Sequence, residues 1–266
     1  MKLFFRKYGT GPPLFILHGL YGSSDNWVTI ARSISESFTV YLPDLRNHGQ
    51  SPHSEEHNYD SMSQDLFELI QELKIKKIFL AGHSMGGKVA VNFAMKWPEK
   101  IYSLVIIDIS PFRSSETENL FYHEHKNILE SILSTDLSKI RSRADVEAHL
   151  AKTIESEKIR NLILKNLQRT DEGKFQWKLN AKALYENLKK IVDGLPRPTS
   201  YNEAVTGFPV TFIKSENSEY LPVIDFVAIQ KVFPAAEMKI VKDAGHWVNA
   251  EKPDAITDIL LKQLKD

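Results

Sequence analysis

The sequence contains no cysteine, and this absence excludes several kinds of site at once. Without a thiol the chain can form no disulfide, no thiolate-ligated metal centre and no cysteine nucleophile. A chain without cysteine also suits a reducing compartment, so we expect a cytoplasmic protein. Long hydrophobic runs are missing as well. No stretch approaches the roughly 20 apolar residues that span a bilayer, and the apolar start is too short for a signal peptide, so we expect no membrane span and no export.

An excess of charge of either sign is also absent. The 34 lysines and arginines balance 34 aspartates and glutamates, so the chain has no overall field that would attract nucleic acid or an anionic membrane. A small-molecule partner fits this neutrality better. The 266 residues, of which 42% are hydrophobic, are enough to bury a large core, and nothing in the composition indicates an oligomeric state.

Short apolar runs alternate with helical stripes along the first part of the chain, which is typical of a parallel β-sheet covered by helices on both faces. We predict strands at 14–17, 39–42, 78–81, 104–107, 210–213 and 238–241. Between 111 and 207 the strand signals nearly vanish and amphipathic helical stripes follow one another. The pattern predicts an α/β core formed by 1–110 and 208–266, with a helical cap inserted at 111–207.

Three predicted helices of the core have recognisable features. Ser61 and Gln64 resemble a capping box that would begin the crossover helix before the third strand. The helix after that strand should end near Pro98, because proline cannot continue the backbone hydrogen bonds. The last helix begins at Pro253 and carries an apolar stripe that extends to Leu264.

The turn between the third predicted strand and the next helix has the spacing Gly-x-Ser-x-Gly, formed by Gly82, Ser84 and Gly86. A side chain at either glycine would collide with the neighbouring strand or helix, and the turn holds the serine in a strained backbone conformation. We predict that Ser84 is a nucleophile exposed at the end of the sheet. The same spacing could instead form a plain glycine-rich turn or a phosphate cradle.

A second loop should face this serine. His18, Gly19 and Leu20 follow the first long apolar strand, where this architecture supplies one of two backbone donors for an oxyanion. We assign the oxyanion hole to the N–H groups of Leu20 and Met85, since two such donors stabilise charge that appears only in the tetrahedral intermediate. We expect His18 to be a buried histidine that holds the loop by hydrogen bonds, with a direct part in catalysis or a position in the pocket as the alternative.

Serine needs a base before it can attack, and a late histidine is best placed to provide one. His246 follows the last predicted strand and precedes the terminal helix, so its loop should overhang the carboxyl edge of the sheet. The alternative is a histidine that only stabilises a turn. We expect the remaining histidines in polar loop or cap sequence to be solvated; these are His48, His53, His57, His123, His125 and His149.

At this point the chain resembles the α/β-hydrolases of the YbfF esterase type, which also have mitochondrial abhydrolase relatives. The resemblance covers nearly the whole core and rests on HGLYGS at 18–23, DLRNHGQS at 44–51, GHSMGGK at 82–88, IDISP at 107–111 and AGHWVNAEKP at 244–253. It implies the α/β-hydrolase fold and an esterase that acts on short to medium acyl groups, with acyl-coenzyme A thioesters as further substrates.

The resemblance also implies which residue is the acid of the triad. Most α/β-hydrolases place it after the strand that follows the cap, where this chain has Glu216 but no aspartate. The YbfF type places it after the strand that follows the nucleophile helix, which corresponds to Asp108. We prefer Asp108 and keep Glu216 as the alternative, together with a purely structural role for Asp108 as a helix cap or a partner of a loop cation.

The predicted site is a Ser-His-Asp triad that needs no metal and no cofactor, because the chain has no metal-ligand motif and no nucleotide fingerprint. Lys88 and Trp247 could line its pocket, although packing explains both equally well. The expected reaction is hydrolysis of small acyl esters or thioesters. A carbon–carbon bond hydrolase or a lactonase on the same scaffold is the nearest alternative, and a binding module that has lost turnover is the alternative from another class.

Overall fold

The computed structural model describes residues 1–112, 115–196 and 204–263. Its main sheet has seven strands in the order β1-β3-β2-β4-β5-β8-β9, and every neighbouring pair is parallel except β1 with β3. The strands are β1 (Phe5–Tyr8), β2 (Pro13–Leu17), β3 (Thr39–Pro43), β4 (Ile78–His83), β5 (Ile101–Ile107), β8 (Val210–Ser215) and β9 (Ala236–Val241). All six predicted strands are present, and the α/β fold class is confirmed. The edge strand β1 was not predicted.

Alternation along the strands places two hydrophobic cores on opposite faces of this sheet. Phe15 and Leu17 belong to the core that includes α2 (Tyr59–Glu72) and α3 (Met85–Lys96), whereas Leu14 and Ile16 belong to the core that includes α1 (Val28–Ser33) and α11 (Pro253–Lys262). Two shorter helices, α9 (Phe226–Val232) and α10 (Val248–Glu251), complete this part of the fold. Both faces of the sheet are therefore covered, as its apolar strands require.

Between β5 and β8 the chain forms a mainly helical segment, which we call the insertion. It contains α4 (Ser115–Leu133), α5 (Arg143–Leu150), α6 (Glu157–Leu164), α7 (Ala181–Glu186) and α8 (Leu188–Val192). Two short antiparallel strands, β6 (Leu167–Arg169) and β7 (Phe175–Trp177), form a separate hairpin inside it, which the weak strand signals there did not predict. The insertion is tied to the loops at the carboxyl edge of the main sheet, for example by Asn166 Nδ2, which donates to the Tyr21 carbonyl over 2.8 Å.

Some local predictions were wrong. Ser61 does not begin α2: the N-cap is Asn58, whose side chain accepts a hydrogen bond from the Ser61 amide, and Ser61 lies in the first turn. His48 and His57 are fully buried and not solvated, because the loop after β3 folds inward on hydrogen bonds such as that from Gln50 N to Asp44 Oδ2.

The predicted end of α3 is confirmed, since the helix stops at Lys96. Leu264 lies outside the described residues.

No helix in the described part of the chain is both long enough and apolar enough to cross a membrane.

Candidate active site

Ser84 occupies the sharp turn between β4 and α3. Its backbone has φ 53° and ψ −120°, a strained conformation for a residue with a side chain. The turn is possible because the glycines on either side let backbone segments touch. A Cβ at Gly82 would lie 2.2 Å from the Gly86 carbonyl oxygen, and one at Gly86 would lie 2.5 Å from that of Leu17. The predicted reason for both glycines therefore matches the geometry of the turn.

His246 lies in the loop after β9 and reaches Ser84. Its Nε2 is 3.1 Å from Ser84 Oγ, while its Nδ1 is 2.8 Å from Asp108 Oδ2. Because a carboxylate accepts hydrogen bonds, the proton of the neutral imidazole belongs on Nδ1, and Nε2 presents a lone pair to the serine hydroxyl. In this tautomer the ring can accept the serine proton, as a general base must.

Asp108 follows β5 in a left-handed backbone conformation, with φ 52°. Its buried carboxylate accepts from His246 Nδ1, from the Ser215 amide over 2.9 Å and from the Ser218 hydroxyl over 2.5 Å. Burial by itself would raise the pKa of Asp108, but the bonds from His246, Ser218 and Ser215 outweigh burial and hold that pKa below its usual value. The carboxylate is therefore ionised and able to orient the imidazole.

Glu216, the alternative acid, has a different partner. Its Oε2 accepts a hydrogen bond from the Asp243 amide over 2.9 Å, and no hydrogen bond or ion pair joins it to His246 in the described part of the chain. Among the two candidate acids, it is Asp108 that contacts His246.

The loop after β2 comes close to Ser84 from the other side. A Cβ at Gly19 would lie 3.1 Å from His83 Nδ1 and 3.2 Å from the Ser84 Cβ, so a side chain there would require these neighbours to shift by a few tenths of an ångström. Within the described residues, neither the Leu20 amide nor the Met85 amide donates to a protein acceptor. Leu20 and Met85 line a pocket together with Ser84, and two N–H groups without a protein acceptor are what a developing oxyanion in that pocket would require.

His18 holds that loop from behind. Its Nδ1 donates to the Gly19 carbonyl over 2.8 Å, and its Nε2 accepts from the Leu45 amide over 3.0 Å. Burial lowers the pKa of His18, and the charge of Asp44 only partly offsets this effect, so the ring is neutral and can accept at Nε2. Both nitrogen atoms are used in holding backbone, and His18 lines neither of the two pockets that open at Ser84.

Sequence reasoning missed two residues that contact His246. The buried His83 donates from Nε2 to the His246 carbonyl oxygen over 2.8 Å, and burial lowers its pKa to about 3. Tyr220 stacks on the imidazole with ring centroids 3.7 Å apart and an angle of 17° between the planes. The position of His83 beside the nucleophile could have drawn attention to it. No pattern in the sequence signals Tyr220, because its contact depends on how the loop after β8 folds.

Two pockets meet at Ser84, and both are partly open to solvent. Lys88 lines the first pocket and Trp247 lines the second. Lys88 is almost fully buried, and its Nζ donates to the Val192 carbonyl over 2.9 Å, which joins α3 to the end of α8. Lys88 and Trp247, whose presence packing alone could have explained, thus also line the space around the serine.

The comparisons with known proteins agree with this fold. A profile described as the alpha/beta hydrolase fold matches residues 12–253, and the chain belongs to that family.

The chain is similar to an sn-1-specific diacylglycerol lipase of Danio rerio, with 35% identity over 256 residues that cover 95% of this chain and 78% of the lipase. It is 31% identical over 256 residues to the esterase YbfF of Escherichia coli, which covers 96% of this chain and 93% of that esterase. A solved structure of a marine microorganism esterase shares 37% identity, covers 98% of both chains and superposes with a TM-score of 0.92. The resemblance to the YbfF type is confirmed, and these relatives support a hydrolase that acts on esters.

Proposed function

We propose that the chain is a serine hydrolase that cleaves short to medium acyl esters or thioesters through an acyl-enzyme on Ser84. The observation that carries the proposal is the continuous pair of contacts from Asp108 Oδ2 to His246 Nδ1, 2.8 Å, and from His246 Nε2 to Ser84 Oγ, 3.1 Å. These are the distances over which a general base can take a proton from a nucleophile.

In the proposed reaction His246 Nε2 takes the hydroxyl proton while Ser84 Oγ attacks the acyl carbon. The carbonyl oxygen becomes an oxyanion bound by the amides of Leu20 and Met85. The tetrahedral intermediate collapses, the bond to the alcohol or thiol breaks, and His246 returns the proton to the leaving atom. Water then enters, gives a proton to His246 and attacks the acyl carbon. His246 returns that proton to Ser84 Oγ as the bond between Oγ and the acyl carbon breaks, which releases the carboxylic acid and the free serine hydroxyl. Asp108 keeps the imidazole in the productive tautomer at both stages.

The insertion would act as a cap in this reaction, with bounds at 111–207 as the sequence predicts. Its helices α4 and α8 contribute His125, Ile191 and Val192 to the space beside Ser84. A cap of this kind excludes water and chooses the acyl group. Thioesters, including acyl-coenzyme A, can follow the same steps as oxygen esters. The cytoplasmic location stays a prediction.

The test is a turnover panel of oxygen esters and thioesters of graded acyl length, with the Ser84→Ala variant as the blank. The proposal expects turnover in the wild-type protein that the variant loses, with the highest kcat/KM at short or medium acyl length. A carbon–carbon bond hydrolase or a lactonase would leave linear esters untouched while it hydrolysed a vinylogous diketone or a lactone. A binding module would fold normally and turn over none of these compounds.

A further inference from the structure

The two pockets at Ser84 differ in one respect that matters to the chemistry. Leu20, Ser84, His125 and Tyr220 line both of them, but only the second pocket also contains His246. We call the first the Lys88 pocket, after the lysine in its wall, and the second the His246 pocket. A substrate with its carbonyl carbon at Ser84 Oγ therefore has two directions in which its two halves can extend.

The position of His246 determines which half of the substrate enters which pocket. His246 Nε2 takes the serine proton and must give it to the leaving oxygen or sulfur, so that atom has to lie within hydrogen-bond reach of the imidazole. We infer that the leaving group lies in the His246 pocket and the acyl chain in the Lys88 pocket, that Val192 limits acyl length, and that Glu124 selects leaving groups with a cationic or hydrogen-bond-donating end. This inference rests on the proposed function.

The walls of the Lys88 pocket suit an acyl chain of limited length. Ile109, Ile191 and Val192 are apolar and almost completely buried, and burial of each methylene in such surroundings is favourable. Lys88 Nζ donates to the carbonyl oxygens of Ile191, Val192 and Asp193 over 3.4, 2.9 and 3.2 Å. These hydrogen bonds connect α8 to α3 and hold Ile191 and Val192 in the pocket wall. We therefore expect the acyl chain to end at this wall.

Because Lys88 donates to backbone oxygens, a substitution at Val192 changes the side chain in the pocket without removing the hydrogen bonds between Lys88 and the end of α8. A smaller residue there adds space for further methylene groups, and a larger one removes space. Substitutions at position 192 should therefore shift the preferred acyl length of the substrate in either direction.

Glu124 gives the His246 pocket a different character. It lies on α4 and lines this pocket beside Tyr21 and Trp247. Its carboxylate forms no hydrogen bond or ion pair with any residue that the structure describes. Glu124 is partly exposed to solvent; its partial burial raises its pKa, and the charge of His246 only partly offsets this effect. A carboxylate that accepts no hydrogen bond from the described residues, in a pocket that Tyr21 and Trp247 also line, favours a ligand end that is cationic or donates a hydrogen bond.

The experiment measures kcat/KM for matched esters, so that each half of the substrate is varied alone. Acyl length is varied with ethyl butyrate and ethyl octanoate. The leaving group is varied in two pairs of butyrates that differ in polarity at nearly constant shape: 2-hydroxyethyl against propyl, and choline against 3,3-dimethylbutyl. The first pair reports on a hydroxyl donor and the second on a cation, so the two sources of the preference are separated.

Three variants and one control are compared with the wild-type protein. Val192→Ala should raise the octanoate to butyrate ratio by about tenfold, Val192→Phe should lower it, and both should leave the two leaving-group ratios unchanged. Glu124→Gln should lower at least one leaving-group ratio by about tenfold and leave the acyl-length ratio unchanged. Glu130→Gln is the control, since Glu130 lies on the same helix but pairs with the Tyr185 hydroxyl and lines neither pocket.

The assignment is overturned if the Val192 variants move the leaving-group ratios in place of the acyl-length ratio. It is equally overturned if Ser84-dependent turnover persists while neither set of ratios moves. A different result, in which no ester is hydrolysed by any protein containing Ser84, would remove the proposed function itself. The two failures are therefore distinct.

Discussion

Replacing Asp108 with asparagine gives a sharp prediction, because the two carboxylate oxygens have separate tasks. Oδ1 accepts from the Ser215 amide, and Oδ2 accepts from both Ser218 Oγ and His246 Nδ1. If the new amide nitrogen takes the place of Oδ2, it must donate to His246 Nδ1, which moves the imidazole proton to Nε2. The ring then presents a proton to Ser84 and cannot act as its base.

The opposite orientation of the asparagine is also unfavourable. The amide nitrogen would then face the Ser215 N–H, leaving two buried donors opposed, at a cost of about 1–3 kcal/mol in free energy. The side chain should therefore settle in the first orientation or exchange between the two. We expect Asp108→Asn to lower kcat by about 10³ to 10⁴, the loss that a wrong histidine tautomer causes in a triad.

The assay is hydrolysis of a 4-nitrophenyl ester followed by absorbance, with circular dichroism to confirm that the variant folds. Glu216→Gln is the matched control, because it makes the same chemical change at the other candidate acid. The amide oxygen of the new glutamine can still accept from the Asp243 N–H, so this variant should keep kcat within about threefold. Retained turnover in Asp108→Asn together with a large loss in Glu216→Gln would refute the reasoning.

Three further predictions concern contacts around the site. Tyr220→Leu should lower kcat by about 2-fold to 30-fold, because the stacked ring stabilises the imidazolium formed during the reaction. Tyr220→Phe keeps the ring and should keep most of the activity. Equal losses of kcat in the two variants, measured by steady-state kinetics, would contradict this role. Gly86→Ala should lower the free energy of unfolding by about 1–3 kcal/mol and reduce turnover, since its Cβ would meet the Leu17 carbonyl oxygen at 2.5 Å; unchanged urea unfolding would be inconsistent with that contact. Burial, followed by the charge of Arg46, lowers the pKa of His57 to about 3, so between about 3 and about 6.5 the unfolded chain binds the proton and the folded chain does not. For this residue, stability should therefore decrease by about 1.4 kcal/mol for each pH unit as the pH is lowered through this window, and His57→Phe should reduce the difference in stability between urea titrations at pH 7.5 and pH 5.5.

The parts of the fold that follow local rules were predictable from the sequence. The buried strands form continuous apolar runs, and the turn at Ser84 has glycines where backbone atoms meet, so both could be recognised without coordinates. The helical insertion was likewise visible from its change of periodicity. The edge strand β1 was missed because its alternation is weak: Phe5, Arg6 and Tyr8 are all only partly buried, and the strand is defined by its pairing with β3.

The residues that could not be predicted depend on contacts between distant segments. His48 and His57 lie in polar sequence, yet the loop that carries them turns inward, and this turn depends on hydrogen bonds to Asp44 and Arg46. Tyr220 contacts His246 only because the loops after β8 and β9 lie side by side at the carboxyl edge of the sheet. The proposal that Asp108 is the acid came from a resemblance, since spacing alone left Glu216 open.

The central claim is that Ser84 is a nucleophile activated by His246, and a covalent probe tests it most directly. A fluorophosphonate should add one phosphonyl group to the wild-type protein, as measured by intact mass, and peptide mapping should place it on Ser84. The Ser84→Ala variant should remain unlabelled, and His246→Ala should label at least about 10³-fold more slowly. A folded wild-type protein that stays unlabelled, or that is labelled at another residue, would contradict the account.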